Sequence, residues 1–408
     1  VTHPFGLRAA TDDDYPSLVR LVHAAFLDDM HEGDLEVNRL VFEPDRTQIV
    51  IDNGAPVATG RATTRDLSIP GGTIPAAHIT AVAVAATHRR RGLLTSIMDV
   101  ILREVNDRSM EPLAVLWASE GSIYGRFGYG LASWRASYDI RTRETSLPGT
   151  LPDGARLRSA SPREVIGHMS GVLDQAMAQR PGLSSRPGRW WDHLTADLES
   201  SRQGMSVERA VLYEMGDQAE GYVRYRTKMG WDATGPQGEV KVTELVATTP
   251  QAYASLWRYL ISIDLVRTLR YPFAAVDEPL PYLFTNQMFS ASHSAALWIR
   301  ILDVPAALAA RRYAAPIDVV LEISDAAFPD NAGRWRLAGD EMSASCQRTD
   351  DDPHLSLDIR ELGSIYLGGV CLTSLAAGGL VTERASGSVD HVSAAFGWRK
   401  APCSIEDF

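Results

Sequence analysis

The chain repeats itself. "LRAATDDD" at residues 7–14 returns as "LRSASPRE" at 157–164, each with a Thr or Ser three residues before an acid (Thr11 and Asp14, Ser161 and Glu164). That spacing is a helix-start signature, in which the hydroxyl and the acid satisfy each other's backbone N–H groups. "TQIVIDNGAPVATGRATT" at 47–64 is echoed as strand, turn, strand by "ERAVLYEMGDQAEGYVRYR" at 208–226. "HITAVAVAATHRRRGLL" at 78–94 is echoed by "VKVTELVATTPQAYASLW" at 240–257. Two copies of one fold are expected, residues 1–146 and 147–294, with "LPGTLPDG" at 147–154 as the linker. Chance similarity between short segments is the alternative.

Each copy alternates strands with helices of 3.6-residue periodicity, such as Leu94, Ile97, Met98, Ile101, Leu102 and Val105, so the class is mixed α/β. The remainder differs. Ile317, Val319, Leu321 and Ile323 alternate strictly, as do Leu355, Leu357 and Ile359, while "LGSIYLGGVCLTSLAAGG" reads as helix broken by glycine. A third, α+β domain over 295–408 follows. A chain of 408 residues is long enough for three such cores.

Composition excludes several function classes. No apolar run is long enough to span a membrane, and "VTHPFGLRAATDDD" lacks a signal-peptide core. Three cysteines, none in C-x-x-C spacing, indicate neither zinc nor a disulfide framework, and a reducing, cytoplasmic setting is expected. The ten histidines form no ligand spacing, so no metal is expected. A net charge of −11 argues against nucleic acid and suits cationic ligands.

One stretch breaks a local rule. Arg89, Arg90 and Arg91 stand where the strand at 79–85 hands over to a helix. Cations are unfavourable at the positive end of a helix macrodipole, beside its unpaired N–H groups. A bound anion would remove the conflict: Gly92 permits close backbone approach and the arginines add charge. A solvated basic helix cap is the alternative. The second copy has Pro250, Gln251, Ala252, Tyr253 and Ala254 opposite His88–Gly92, so it has lost the arginines and the glycine.

"RRRGLL" after "VAVAATH" resembles the Arg/Gln-x-x-Gly-x-Gly/Ala pyrophosphate loop of the GCN5-related N-acetyltransferases, with Leu94 where that pattern has a small residue. With "ASEGSIYGRFGYG" at 118–130, "LWIRILDVPAALAARRY" at 297–313 and "LGSIYLGG" at 362–369, the chain resembles the enhanced-intracellular-survival (Eis) family. In that family, tandem acetyltransferase-like domains precede a sterol-carrier-like domain.

The resemblance implies an acetyl-coenzyme A-dependent N-acetyltransferase. Val82, Ala83 and Val84 would grip the pantetheine arm. Arg89, Arg90, Arg91, Gly92, Leu93, Leu94 and Thr95 would surround the diphosphate, with Ser119 and Glu120 flanking the cofactor. Tyr124 would be the general acid, a role that suits a phenol still protonated at neutral pH. A plain core aromatic beside Phe127 and Tyr129 is its other reading. The terminal carboxylate of Phe408 would help deprotonate the amine, with Asp407 beside it. Phe26 and Asp28 would line the acceptor pocket, Asp28 being equally readable as an ordinary helix-end residue. The implied acceptors are aminoglycosides, at several amines, and lysine side chains; the implied assembly is a homohexamer. A lipid or sterol carrier, or an acetyl-coenzyme A-binding scaffold without turnover, are the rival readings.

Overall fold

The computed structural model describes residues 6–286 and 288–408. The chain forms two compact units. The first runs through Ser133, resumes over Ala296–Arg399 and includes Phe408; the second is Trp134–Ala295 with Lys400–Asp407.

The first unit begins with β1 (Gly6–Ala9), α1 (Tyr15–Ala25), α2 (Asp34–Arg39), β2 (Thr47–Asp52), β3 (Ala55–Ile69) and β4 (Gly72–Val84). There follow α3 (Leu93–Arg108), β5 (Leu113–Trp117), α4 (Gly121–Tyr124) and β6 (Gly130–Leu131). The expected Thr11–Asp14 capping box is formed, and a short 3-10 turn leads from it into α1. Leu93, Ile97, Met98, Ile101, Leu102 and Val105 make one buried face of α3, with Leu93 where Leu94 was expected, since Leu94 is only partly buried. That face covers Val50, Ala58, Ala62, Ala77 and Ile79 of the sheet. Alternate residues point to opposite faces of a strand. Ile49 accordingly packs with Leu18 of α1, which puts α1 on the face opposite α3.

The second unit repeats this order with β7 (Trp134–Arg141), β8 (Ala155–Ala160), α5 (Ile166–Met177), α6 (Trp190–Leu194), β9 (Arg209–Met215) and β10 (Gln218–Lys228). The minor pair β11 (Trp231–Asp232) and β12 (Gly235–Pro236) follows, then β13 (Gly238–Ala247), α7 (Pro250–Ile261), β14 (Val266–Ala274), α8 (Leu280–Leu283) and β15 (Phe289–Ala295). The Ser161–Glu164 box is present here as well.

Strand membership departs from the sequence segments. The first sheet has the order β1-β2-β3-β4-β5-β16-β6, where β16 is Leu297–Ile301 from the segment assigned to the third domain. The second has the order β15-β7-β14-β13-β10-β9-β8, so β7 leaves the segment 1–146 in which the sequence placed it. Each sheet is thus joined by an antiparallel strand from outside its expected boundaries at 146 and 294. Periodicity reveals a strand, whereas its partner is set by backbone hydrogen bonds to residues far along the chain.

The remaining elements are α9 (Val304–Ala310), β17 (Ile317–Ser324), β18 (Gly333–Gly339), β19 (Ala344–Arg348), β20 (Leu355–Asp358), α10 (Ile359–Ile365), α11 (Leu372–Ala377), β21 (Val381–Glu383) and α12 (Ser388–Phe396). Ile359, read from the sequence as strand, instead opens α10, because the Asp358 carboxylate accepts from the Arg360 N–H at 3.1 Å. The sheet order is β19-β18-β17-β20-β21. Its core is continuous with that of the first sheet, joining Leu67, Ile74 and Leu113 to Leu321, Leu357 and Phe396. The "RRY" motif has a structural purpose. Arg311 is fully buried over the Phe396 ring and donates to the carbonyls of Tyr366 and Phe396 at 2.7 and 2.9 Å.

In the second unit Arg186 is buried between two carboxylates. It donates to Glu244 at 2.5 and 3.0 Å and to Glu406 of the terminal segment at 2.7 and 3.0 Å. Removing one partner of a buried ionic group strands the other without compensation. Arg186→Met is therefore expected to destabilise the second unit by about 3–5 kcal/mol. A denaturant titration showing an unshifted midpoint for that unit's transition would contradict the role given to this cluster.

Candidate active site

The site starts from a ladder that stops. β4 and β5 pair in parallel at Ala76–Leu113, Ala77–Ala114 and His78–Val115, and no further pair follows. On its other edge β4 stays bonded to β3 through Ala83–Thr59 and Val84–Ala58, but the register slips between Thr59 and Arg61. Gly60 and Ala81 make this bulge. A Cβ on Gly60 would lie 2.7 Å from Ile97 and 3.0 Å from Ile101, so only glycine lets α3 sit this close. Ala81 takes φ +51°, a left-handed conformation unfavourable for a residue with a Cβ. Such strain persists where the surroundings impose it, commonly at functional positions. The result is an open edge on β4 over Val82, Ala83 and Val84.

The loop after β4 has a defined backbone path. Its first turn is pinned: the His88 N–H donates to Ala85 O at 2.8 Å, and His88 Nε2 meets Asp52 Oδ2 of β2 at 3.0 Å. Arg89 is extended, Arg90 has φ +60° and Gly92 has φ +81°. Left-handed residues among ordinary ones turn successive N–H groups into a concave nest. No side chain caps α3 at Gly92, and its first turn, Leu93, Leu94 and Thr95, contains no acid. The three arginines are exposed, and none enters an ion pair among the described residues. The conflict visible in the sequence is therefore real in the fold.

Beyond β5, Ser119 and Glu120 are exposed at the entrance to α4, and Tyr124 ends that helix, buried. Burial first, and the Glu120 carboxylate second, push the Tyr124 phenol above its ordinary value, so it holds its proton at neutral pH. Its ring meets Tyr129 edge-on at 5.9 Å, and its carbonyl accepts from the Tyr129 N–H at 3.3 Å. β16 fixes this loop from below. A Cβ on Gly121 would come within 2.8 Å of Trp298, and one on Gly128 within 2.7 Å of Arg300. Arg300 is itself held by Asp325 at 2.7 and 2.8 Å. Tyr124, Val82, Val84, Leu93 and Leu94 belong to one hydrophobic cluster, so the structure brings these expected residues together.

The opposite face of the sheet carries the rest. His78, one residue from Ala77 and Ile79 on the strand, faces away from the α3 cluster, and the Phe408 ring packs on it at 4.7 Å. The Arg65 guanidinium lies 6.0 Å from the same ring. Burial, then Arg65, drive the His78 pKa well down, leaving a neutral imidazole. On this face too, α1 ends at Phe26, which is half exposed, followed by Leu27 at φ +61°. Asp28 is exposed and reaches back to His23 Nδ1 at 3.3 Å. Asp29 and Glu32 follow in the loop it opens, and Asp34 and Glu36 stand in the first turn of α2. Asp407 is exposed and is grouped with the second unit.

Sequence reasoning missed Trp298, Arg300, His78 and Arg65, because none carries a local pattern. Their signal is position in the sheet, which exists only once β16 and β4 have paired. In the second copy the correction is larger. Between β4 and α3 lie residues 85–92, whereas between β13 and α7 lie only Thr248 and Thr249. The expected substitution of the loop by Pro250–Ala254 is in fact its absence, since Pro250 already begins the helix.

Comparison with known proteins agrees with this geometry. An acetyltransferase (GNAT) domain family matches residues 6–132, a second acetyltransferase (GNAT) domain family matches 182–301, and a sterol carrier protein domain family matches 304–404. An uncharacterised N-acetyltransferase of Streptomyces avermitilis is 42% identical over 372 residues, 90% of each chain. N-acetyltransferase Eis of Mycobacterium tuberculosis is 33% identical over 404 residues, 96% of each chain. The crystal structure of Eis1 from Mycobacterium abscessus superposes with a TM-score of 0.84 at 29% identity, covering 99% of this chain and 100% of that one. With the family's tandem GNAT domains, sterol-carrier-like domain and near-complete alignment all present, the chain belongs to the Eis family of N-acetyltransferases.

Proposed function

We propose that the first unit transfers an acetyl group directly from acetyl-coenzyme A to amines of polycationic acceptors, aminoglycosides and lysine side chains among them. The observation that carries this is the nest at Arg89–Thr95, uncapped and without ion pairs among the described residues, beside the open edge of β4. A diphosphate suits the charge of this loop, and an amide-containing arm suits the unpaired strand edge. Acetyl-coenzyme A supplies a thioester already activated toward attack.

The chain's own residues then have defined tasks. Val82–Val84 hold the arm by backbone hydrogen bonds, Ser119 and Glu120 flank it, and the Val82 N–H points partial positive charge at the developing oxyanion. As the amine nitrogen bonds to the acyl carbon and the carbon–sulfur bond breaks, Tyr124 donates its phenolic proton to sulfur. The amine's surplus proton leaves toward solvent. Phe26, Asp28 and the acidic loop after α1 offer an aromatic and several carboxylates to a polycation. Were Phe408 to carry a free carboxylate, that group, with Asp407 next to it in sequence, would bind the ammonium on the same face as α1 and pass its proton on. Direct transfer needs no acyl-enzyme, and residues 1–133 contain no cysteine. A cytoplasmic homohexamer is part of this reading, carried by the family resemblance.

Calorimetric titration of the full chain with acetyl-coenzyme A should saturate at one ligand per chain, because the second copy lacks the loop. Arg90→Glu should weaken that binding at least tenfold while leaving acceptor binding unchanged. Unaltered cofactor affinity, or two sites per chain, would remove the anion-nest reading. Tyr124→Phe should keep the fold and cofactor affinity but lower kcat by about 10²–10⁴-fold, the usual worth of a general acid. Turnover within a factor of two of the parent would assign the proton to another group. A short peptide appended after Phe408 should cut turnover strongly with the thermal transition unchanged; equal rates would reduce Phe408 to a packed end.

A further inference from the structure

The second unit keeps a cleft that no task has been assigned to. β13 and β14 pair in parallel from Gly238–Val266 to Lys241–Arg270 and then part, as β4 and β5 do. Between the parted strands lies a cavity of about 330 Å³. Leu183, Leu245, Val246, Leu283, Pro279 and Ile405 make its wall largely apolar. Cavities of this size, apolar with few polar groups, commonly take small ligands.

The cleft is not a second coenzyme site. Thr249 caps α7, accepting from the Ala252 N–H at 3.2 Å, and its hydroxyl faces Glu220 Oε2 at 3.0 Å. A capped helix end with a carboxylate beside it repels a diphosphate.

The charges at the wall point to a different ligand. Arg180 is neutralised by Asp277 at 2.6 Å and also donates to Ala401 O at 2.6 Å. Glu278 is buried, accepts from the Tyr253 hydroxyl, and burial pushes its carboxyl up to about 7. Lys400 remains. Its ammonium bonds to the uncharged Gln179 Oε1 at 3.1 Å, with no ion pair to a carboxylate among the described residues. Burial first and then Arg180 depress its pKa, with Asp277 opposing them.

We propose that this cleft is a binding site for a monoanionic amphiphile, an aliphatic carboxylate whose head pairs with Lys400 and whose chain fills the cavity between β13 and β14. The site is independent of the transfer site and needs no acetyl-coenzyme A. Lys400 and the apolar wall together set its preference: the cation selects the head, and the wall rewards each methylene removed from water.

The test uses decanoate, decylamine and the full chain. Calorimetry should show saturable decanoate binding that tightens from hexanoate to decanoate and exceeds decylamine at least tenfold. Lys400→Met, which keeps the aliphatic stem, should weaken decanoate at least tenfold with an unchanged thermal transition. Ala247→Trp, which fills the cavity from its rim, should abolish binding while acetyl-coenzyme A still binds. Three results would each overturn the proposal: no saturable decanoate binding, equal affinity in Lys400→Met, or undiminished affinity in Ala247→Trp. A preference for decylamine would do so too, by making Glu278 the determinant.

Discussion

Everything at the transfer site depends on a hydrogen-bond ladder that is not completed. β4 could have gone on pairing with β5 past His78–Val115, gaining backbone bonds. The bulge at Gly60 and Ala81 turns it aside instead. Unpaired strand edges are costly when kept from water or a partner, and the edge of β4 left open over Val82, Ala83 and Val84 lies beside a hydrophobic cluster. The close approach of α3 at Gly60 enforces the bulge, and α3 brings the anion nest with it. Strand edge and nest are thus one construction.

The duplication shows that this construction and its chemistry are separable. In the second unit the corresponding pairing, β10 with β13, slips between Arg224 and Tyr225, while Gly221, opposite Ala247, lies against α7: a Cβ there would meet Ala252 and Leu256 at 3.1 Å. The parted strands survive, yet the loop between strand and helix has shrunk to Thr248 and Thr249, and a side chain now caps the helix. Ala252, Leu256, Trp257 and Leu260 of α7 belong to the core of the second sheet, which holds that helix in place. Nothing in that core needed the arginines. The cleft in the second unit is retained without the arginine–glycine loop, and its wall is largely apolar with Lys400 among the lining residues.

Local signals in the sequence were reliable where the cause was local. Both capping boxes, the buried stripe of α3 and the arginine–glycine turn follow from spacings of three and four residues, and the structure contains each. Signals failed where the cause was distant. The strands β7 and β16 join sheets from outside the expected boundaries at 146 and 294, because their partners lie far along the chain. Ile359 continued an apolar alternation and became helix because Asp358 captured the next free N–H. The second copy's loop aligned as substituted residues, although the chain there is simply shorter and the helix starts at once.

The sequence by itself determined the two-fold repeat, the mixed α/β class, the resemblance to the family and the residues of the nest, because each is encoded in contiguous spacing and residue type. Only the tertiary structure decided which strand completes which sheet, that Trp298 and Arg300 from β16 support the loop bearing Tyr124, and that Phe408 packs on His78 across the sheet from the nest. It also decided that the second cleft stays open. The reason is the same in each case: hydrogen-bond partners, buried charges and cavities belong to pairs of residues that meet only when the chain has closed on itself, and no local pattern records that meeting.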